Sequence, residues 1–261
     1  MYFENIHEQR NYWNKRAKTF RRYSGEQDDY SLTIFNNIKA HGIEFAGAKV
    51  LDLGCGCGWF SIDMAKAGAD VTATDISREM LNLLETDAHS NGIFNIKCIE
   101  SDWHDFNEGD RYDLIFCSLT PAIHDDATRQ KLRYYARKWV VYLGFGGKHS
   151  DDFASIYKIL GIKKRRGTEI GASEMHKWLN TNGIKYTSYS FFKKRSIEKS
   201  REEILENFAE CLKPDSNKAE VIEKYIEQFK NEKGNYVHNS ESEINMIIWD
   251  NSSYWRENNC L

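Results

Sequence analysis

The chain is poor in proline: of 261 residues only Pro121 and Pro214 are prolines. That excludes collagen-like and proline-rich linker architectures. No apolar run approaches the ~20 residues that a bilayer-crossing helix needs. The six cysteines (Cys55, Cys57, Cys98, Cys117, Cys211, Cys260) include no pair with two intervening residues. Zinc-knuckle and iron–sulfur spacings are therefore missing, and no metal is expected. Cys98 and Cys117 lie in apolar runs and read as buried free thiols. Residues 1–22 hold no apolar stretch of the secretory kind, so the expected compartment is the reducing cytoplasm. Charge is nearly balanced, with 36 basic against 39 acidic side chains and a net charge of -3. This is not the basic footprint of a dedicated nucleic-acid binder. What is present is a 41% hydrophobic complement, enough for a sizeable core.

Three zones differ in pattern. Residues 1–45 are aromatic-rich and predict two helices. Residues 46–197 alternate short apolar runs with helical stretches. Strands are predicted at 49–53, 69–74, 94–99, 112–117 and 139–143, and helices at 59–67, 77–90 and 125–138. Ser77 is the expected N-cap of the second of these helices, with Met80, Leu83 and Leu84 as its buried stripe. Such alternation predicts a mainly parallel, doubly wound sheet covered on both faces. The tail predicts strands at 184–195 and 243–249, with helices at 197–212 and 218–231 between them. These two late strands read as an antiparallel edge pair separated by a helical insertion.

The segment Val50-Leu-Asp-Leu-Gly-Cys-Gly-Cys-Gly58 carries the strongest functional signal. A strand runs into three alternate glycines and then a helix, an arrangement that lets a ligand approach the backbone and the helix's N-terminal amides. The dinucleotide fingerprint is GxGxxG; here the spacing is GxGxG, and Asp52 stands two residues before it. A carboxylate there repels a pyrophosphate and suits an ammonium. A ligand carrying both carboxylate and ammonium satisfies the helix end and Asp52 together, and the methionine moiety of S-adenosylmethionine is such a group. Asp75, at the end of the next strand, is placed to accept ribose hydroxyls. Asp102-Trp103, after the third strand, offers a carboxylate and an aromatic ring to a base.

These segments, with Asp75-Ile76 and Tyr112-Asp-Leu-Ile-Phe-Cys-Ser118, resemble the successive motifs of class I S-adenosylmethionine-dependent methyltransferases of the small-molecule type. The resemblance implies a Rossmann-like, seven-stranded, mainly parallel sheet in the order 3-2-1-4-5-7-6, with its last strand antiparallel. It implies that Asp52, Gly54, Cys55, Gly56 and Gly58 line the methionine end. Asp75 and Ile76 would then hold the ribose, Asp102 and Trp103 the adenine, and Ser118 and Leu119 the floor. Tyr12-Trp-Asn-Lys-Arg-Ala17 resembles the lead helix that lids the cofactor in many small-molecule members, which makes Tyr12, Trp13 and Arg16 lid residues. The organisation expected is one methyltransferase domain over 1–261. It comprises a helical lid (1–45), a core (46–197 and 243–250) and a helical cap (198–242).

The expected activity is in-line methyl transfer to a small-molecule acceptor, with S-adenosylhomocysteine as product. His124 and His149 are the candidate bases for a hydroxyl or thiol acceptor. Other readings weighed are a tRNA or rRNA methyltransferase, an NAD-dependent oxidoreductase and a non-catalytic adenosylmethionine-binding module. The RNA reading rests on the basic strips Lys163-Lys-Arg-Arg166 and Lys193-Lys-Arg195. Against it, Ser118-Leu-Thr-Pro-Ala122 departs from the Pro-Pro-aromatic motif of nucleic-acid and protein amino-methylating relatives. Bland readings stand beside the sharp ones: Trp103 as packing, His124-Asp125-Asp126 as a helix start, and Cys55 and Cys57 as small turn residues.

Overall fold

A computed structural model describes residues 5–161, 171–209 and 216–259. The strip Lys163–Arg166 lies outside them, as do Cys211, Leu212, Pro214 and Cys260. The elements are α1 (Ile6–Ala17), α2 (Asp29–Ala40), β1 (Lys49–Leu53), α3 (Trp59–Lys66), β2 (Asp70–Asp75), α4 (Arg78–Ser90), β3 (Ile96–Glu100) and β4 (Tyr112–Ser118). They continue with α5 (Asp126–Tyr135), β5 (Ala136–Asp151), α6 (Ala154–Ile159), α7 (Ala172–Thr181), β6 (Thr187–Lys199), α8 (Arg201–Ala209), α9 (Ser216–Ile226), β7 (Tyr236–Asp250) and α10 (Ser252–Asn259).

The strands form one seven-stranded sheet in the order β3-β2-β1-β4-β5-β7-β6. β1 pairs in parallel with β2 and β4, β2 with β3, and β4 with β5. β1 is buried from Val50 to Leu53 because it has a neighbour on each side and helices over both faces. The order reverses beside β1, so the crevice at its carboxyl end is the topological switch point where such sheets bind ligands.

The described residues fall into two compact units. One lies within Met1–Phe145, Gly167–Ser190 and Asn245–Leu261, the other within Gly146–Arg166 and Phe191–Ile244. The first is built around Leu51, Trp103, Phe106, Ile115, Tyr135, Val140, Trp178 and Trp249. The second packs Phe153, Ile156, Ile204, Ile222, Ile226 and Tyr236. The expected cap began at residue 198; the compact unit that contains it also takes in the ends of β5 and β6 and helix α6.

Several boundaries depart from the sequence reading. The helix expected over 125–138 stops at Tyr135 and β5 starts at the next residue. The Asn251 side-chain amide takes the carbonyls of Arg133 and Ala136, a long-range contact that ends the helix. β5 runs to Asp151, eight residues past the expected end, through a polar stretch containing Gly146 and Gly147. β3 starts at Ile96, and Phe94 is exposed. On α4, Leu81 rather than Leu83 joins Met80 and Leu84 in full burial. β6 is displaced to Thr187–Lys199, and β7 begins seven residues earlier than expected. Cys98 is only half-buried, whereas Cys117 is buried as expected. Among the described residues no helix is long and apolar enough to cross a membrane.

Candidate functional site

The site is built at the carboxyl ends of β1, β2 and β4. Beyond β1 the chain turns through Gly54, Gly56 and Gly58, whose φ values of +67°, +56° and +77° lie in the left-handed region. The three glycines serve different ends. A Cβ on Gly54 would stand 2.1 Å from Thr120 Oγ1, and one on Gly58 would stand 2.1 Å from Leu84 Cδ1. Both are therefore required by packing. A Cβ on Gly56 would meet nothing within 4 Å, so that glycine borders open space. The turn is tied to β2 by the Gly54 and Cys55 amides, which donate to the Thr74 carbonyl at 2.8 and 3.0 Å.

Two carboxylates frame this turn. Asp52 is buried and accepts the Ser61 hydroxyl at 2.5 Å. Burial pushes its carboxyl up to about 7, with the charge of Asp75 adding to the rise and the Ser61 bond opposing it. Asp75 accepts the Gly56 amide at 2.9 Å on one oxygen and the Ser77 amide at 2.8 Å on the other. Burial raises it as well, and those backbone bonds hold it down in part. Two like charges thus share a poorly solvated crevice with the amides of the turn.

The N-terminal segment lies against this crevice. Helix α1 contacts α4. Arg10 Nε donates to the Ile76 carbonyl at 3.2 Å, and the Ser77 hydroxyl donates to Asn14 Oδ1 at 2.6 Å. Trp13 and Phe20 pack with Cys57, Trp59, Met80 and Leu83. The Arg21 carbonyl accepts both the Trp59 indole N–H and the Cys57 thiol, while the Arg21 guanidinium lies 4.3 Å from the Trp59 ring centre. Tyr12 stands edge-on to Trp13 at 5.2 Å.

The other expected residues are distributed as follows. Ser118 ends β4, and Leu119, with φ +52°, is the one non-glycine residue in the left-handed region among those described. A leucine pays for that conformation in steric strain, which places a strained position at the mouth of the crevice. Asp102 accepts the His104 amide at 3.1 Å and is partly exposed. Trp103 is a core residue: only 2% exposed, it packs between Phe106 and Tyr135 and donates its indole N–H to the Thr128 carbonyl at 3.0 Å. That is the packing alternative, and it leaves the ring no open face for a base. His124 is half-exposed beside Asp125, the N-cap of α5. His149 belongs to the second unit, where it bonds Ser242 Oγ at 2.9 Å and faces Asp151. Ser61 and Thr120 were not singled out from the sequence. A serine inside the apolar opening Trp59-Phe60-Ser61-Ile62 was the available signal for the first; the second lay in the quoted 118–122 loop with nothing to set it apart.

Residues 50–139 match a family model described as a methyltransferase domain. That segment is similar to the methyltransferase-domain family, as its motifs suggested. Among curated relatives, an uncharacterized protein of Haemophilus influenzae is 26% identical over 152 residues, 57% of this chain and 55% of that one. A ubiquinone biosynthesis O-methyltransferase of Xanthomonas euvesicatoria is 43% identical over 51 residues, 20% of this chain and 21% of that one. The chain thus spans about half the length of the first relative and a fifth of the second. Among solved structures, the magnesium protoporphyrin IX methyltransferase of Synechocystis with bound S-adenosylhomocysteine aligns with TM-score 0.52 at 18% identity. That alignment covers 92% of this chain and 98% of the other and establishes the methyltransferase fold.

Proposed function

We propose that the chain transfers a methyl group from S-adenosylmethionine to a small-molecule acceptor. One observation carries this reading: a buried Asp52 that accepts the Ser61 hydroxyl and has no ion-pair partner among the described residues, beside a second carboxylate and a glycine turn with open space at Gly56. Such a crevice is over-supplied with negative charge. It fits a ligand that brings an ammonium to Asp52, a carboxylate to the amides of the turn and a ribose to Asp75.

When bound, S-adenosylmethionine supplies an electrophilic methyl group on a positively charged sulfur. The residues of the chain then need to bind, orient and exclude water. Asp52, held by Ser61, receives the ammonium. Asp75, pre-oriented by the Gly56 and Ser77 amides, receives the ribose hydroxyls. Ile76 covers the nucleoside, and Asp102 receives the base amino group. Ser118 and the strained Leu119 border the space in which the acceptor meets the donor. Tyr12, Trp13 and Arg16, on the helix over the crevice, keep solvent from it.

A small-molecule acceptor is supported by the Ser118-Leu-Thr-Pro-Ala122 loop, which lacks the Pro-Pro-aromatic motif, and by the net charge of -3. The partial matches to ubiquinone biosynthesis O-methyltransferases point the same way. The test is calorimetric titration with S-adenosylhomocysteine, followed by assay of its formation from S-adenosylmethionine with a panel of phenols, amines and thiols. Binding that is weakened in both Asp52→Asn and Asp75→Ala supports the reading. Undiminished binding in both variants, or preferential binding of NADH, overturns it.

A further inference from the structure

Three side chains that sequence spacing does not connect meet on the surface of the first unit. His104 follows β3, and His124 and Asp125 precede α5. One donor atom from each lies within 4.8 Å of the other two. Asp125 Oδ2 stands 3.7 Å from His104 Nε2 and 3.6 Å from His124 Nε2, and the two imidazole centres are 5.4 Å apart.

We propose that His104, His124 and Asp125 form a binding site for a divalent late-transition-metal ion, of which zinc is the best match. The N···O separations are too long for hydrogen bonds. They are close to the edge of about 3.4 Å between donors arranged tetrahedrally around zinc at 2.0–2.1 Å. Two imidazoles and one carboxylate suit zinc, nickel or cobalt and disfavour magnesium and calcium, which take all-oxygen shells. Three protein donors leave a fourth position for water or an anionic oxygen, as in zinc sites that react rather than merely brace.

The three donors are held in place from behind. The Thr128 amide donates to Asp125 Oδ1 at 2.7 Å, which leaves Oδ2 for the ion. Lys131 Nζ donates to the carbonyls of Trp103 and His104 at 2.6 and 2.8 Å. The Arg129 guanidinium donates to the His124 carbonyl at 3.3 Å. The buried bond from Trp103 to Thr128 ties the His104 loop to the start of α5. Backbone positions fixed in this way keep the donor set together without the ion, which lowers the ordering cost of binding. Each ligand side chain is nearly half exposed (44–46%), so an ion reaches the site from solvent.

The test uses the untagged full-length protein, stripped with a chelator and dialysed. It is titrated with Zn2+ by calorimetry and with Co2+ followed by visible absorption. The expected result is one ion per chain and the intense cobalt bands of a four-coordinate site, shifted by added azide at the open position. His104→Ala and His124→Ala should each weaken binding at least about tenfold. Asp125→Asn keeps an N-cap residue and should weaken it while the thermal unfolding curve stays in place. No uptake at about 1 mM Zn2+, the weak end of specific affinity, overturns the site. So does uptake that either histidine variant leaves unchanged, because the ion then sits elsewhere. A cobalt spectrum indifferent to azide overturns the open position. None of these readouts involves methyl transfer, so the site stands or falls independently of the proposed activity.

Discussion

The backbone carbonyl of Arg21 accepts the indole N–H of Trp59 at 3.1 Å, which fixes the segment after α1 onto the first residue of α3. The same carbonyl accepts the Cys57 thiol at 3.4 Å. Cys57 is buried beneath this segment, and burial is the main reason its thiol is pushed up to about 12. Deleting residues 1–22 should expose Cys57 and return its thiol toward ordinary reactivity. Labelling with a mild thiol reagent, read by peptide mass spectrometry, should find Cys57 protected in the full chain and modified in the truncated one. Equal protection in both would remove the N-terminal segment as a cover.

Asp52 should set the pH dependence of donor binding. Its carboxyl is raised from 3.8 to about 7, so the free protein binds a proton there that an unfolded chain releases near pH 4. The associated stability is present below about pH 4 and is lost as pH rises through about 7, a difference on the order of a few kcal/mol. Asp52→Asn removes that loss. The variant should melt above the parent at about pH 8 and close to it at about pH 4. An ammonium ligand favours the ionised form, so S-adenosylhomocysteine should bind the parent more tightly as pH rises from about 6 to 8, and this trend should vanish in the variant. Calorimetry and thermal unfolding across that range check both signs.

The glycine turn separates a packing requirement from a binding one. Gly56→Val adds a branched side chain where nothing stands within 4 Å, so the cost falls on bound ligand and on backbone strain at φ +56°. It should abolish S-adenosylhomocysteine binding while lowering stability by only about 1–2 kcal/mol. Gly58→Ala drives a methyl into Leu84 at 2.1 Å and should destabilise by about 2–4 kcal/mol, strain plus overpacking. Urea unfolding of the two variants should therefore rank opposite to their titrations.

Trp103 tests packing against stacking. Trp103→Phe removes the indole donor to the Thr128 carbonyl and leaves a small void beside Phe106 and Tyr135. A loss of about 2–3 kcal/mol in unfolding free energy is expected. S-adenosylhomocysteine affinity in the folded variant should stay within about twofold of the parent, a change under 0.5 kcal/mol. A tenfold loss of affinity at unchanged stability would restore the ring to the nucleoside site.

The strand–helix alternation and the β1–turn–α3 unit were legible because they depend on local signals: a short apolar strand, alternate glycines and an amphipathic helix; the order of the strands came from the family resemblance instead. Ser77, which caps α4 through the Met80 amide at 3.2 Å, was legible from local signals too. Long-range effects were not legible. The end of α5 is set by Asn251, more than a hundred residues away. β5 extends through Gly146, Gly147 and Lys148, residues with little strand propensity, where the Glu243 carboxylate accepts the Lys148 amide at 3.0 Å. Helix α7 had a readable stripe in Ala172, Met175 and Leu179, all buried, yet no helix was expected there. His104 and Asp125 come together only through the fold, so no spacing rule would have joined them.

The void left by the missing side chain of Gly54 is filled by the hydroxyl of Thr120. The first turn of the sheet and the loop after its fourth strand are thus interlocked like a tongue and its groove. A bulkier group on either side pushes the other out of register, so reshaping the acceptor end by altering the 118–122 loop also reshapes the cradle for the donor. Retargeting this scaffold would require changing both members of that joint at once.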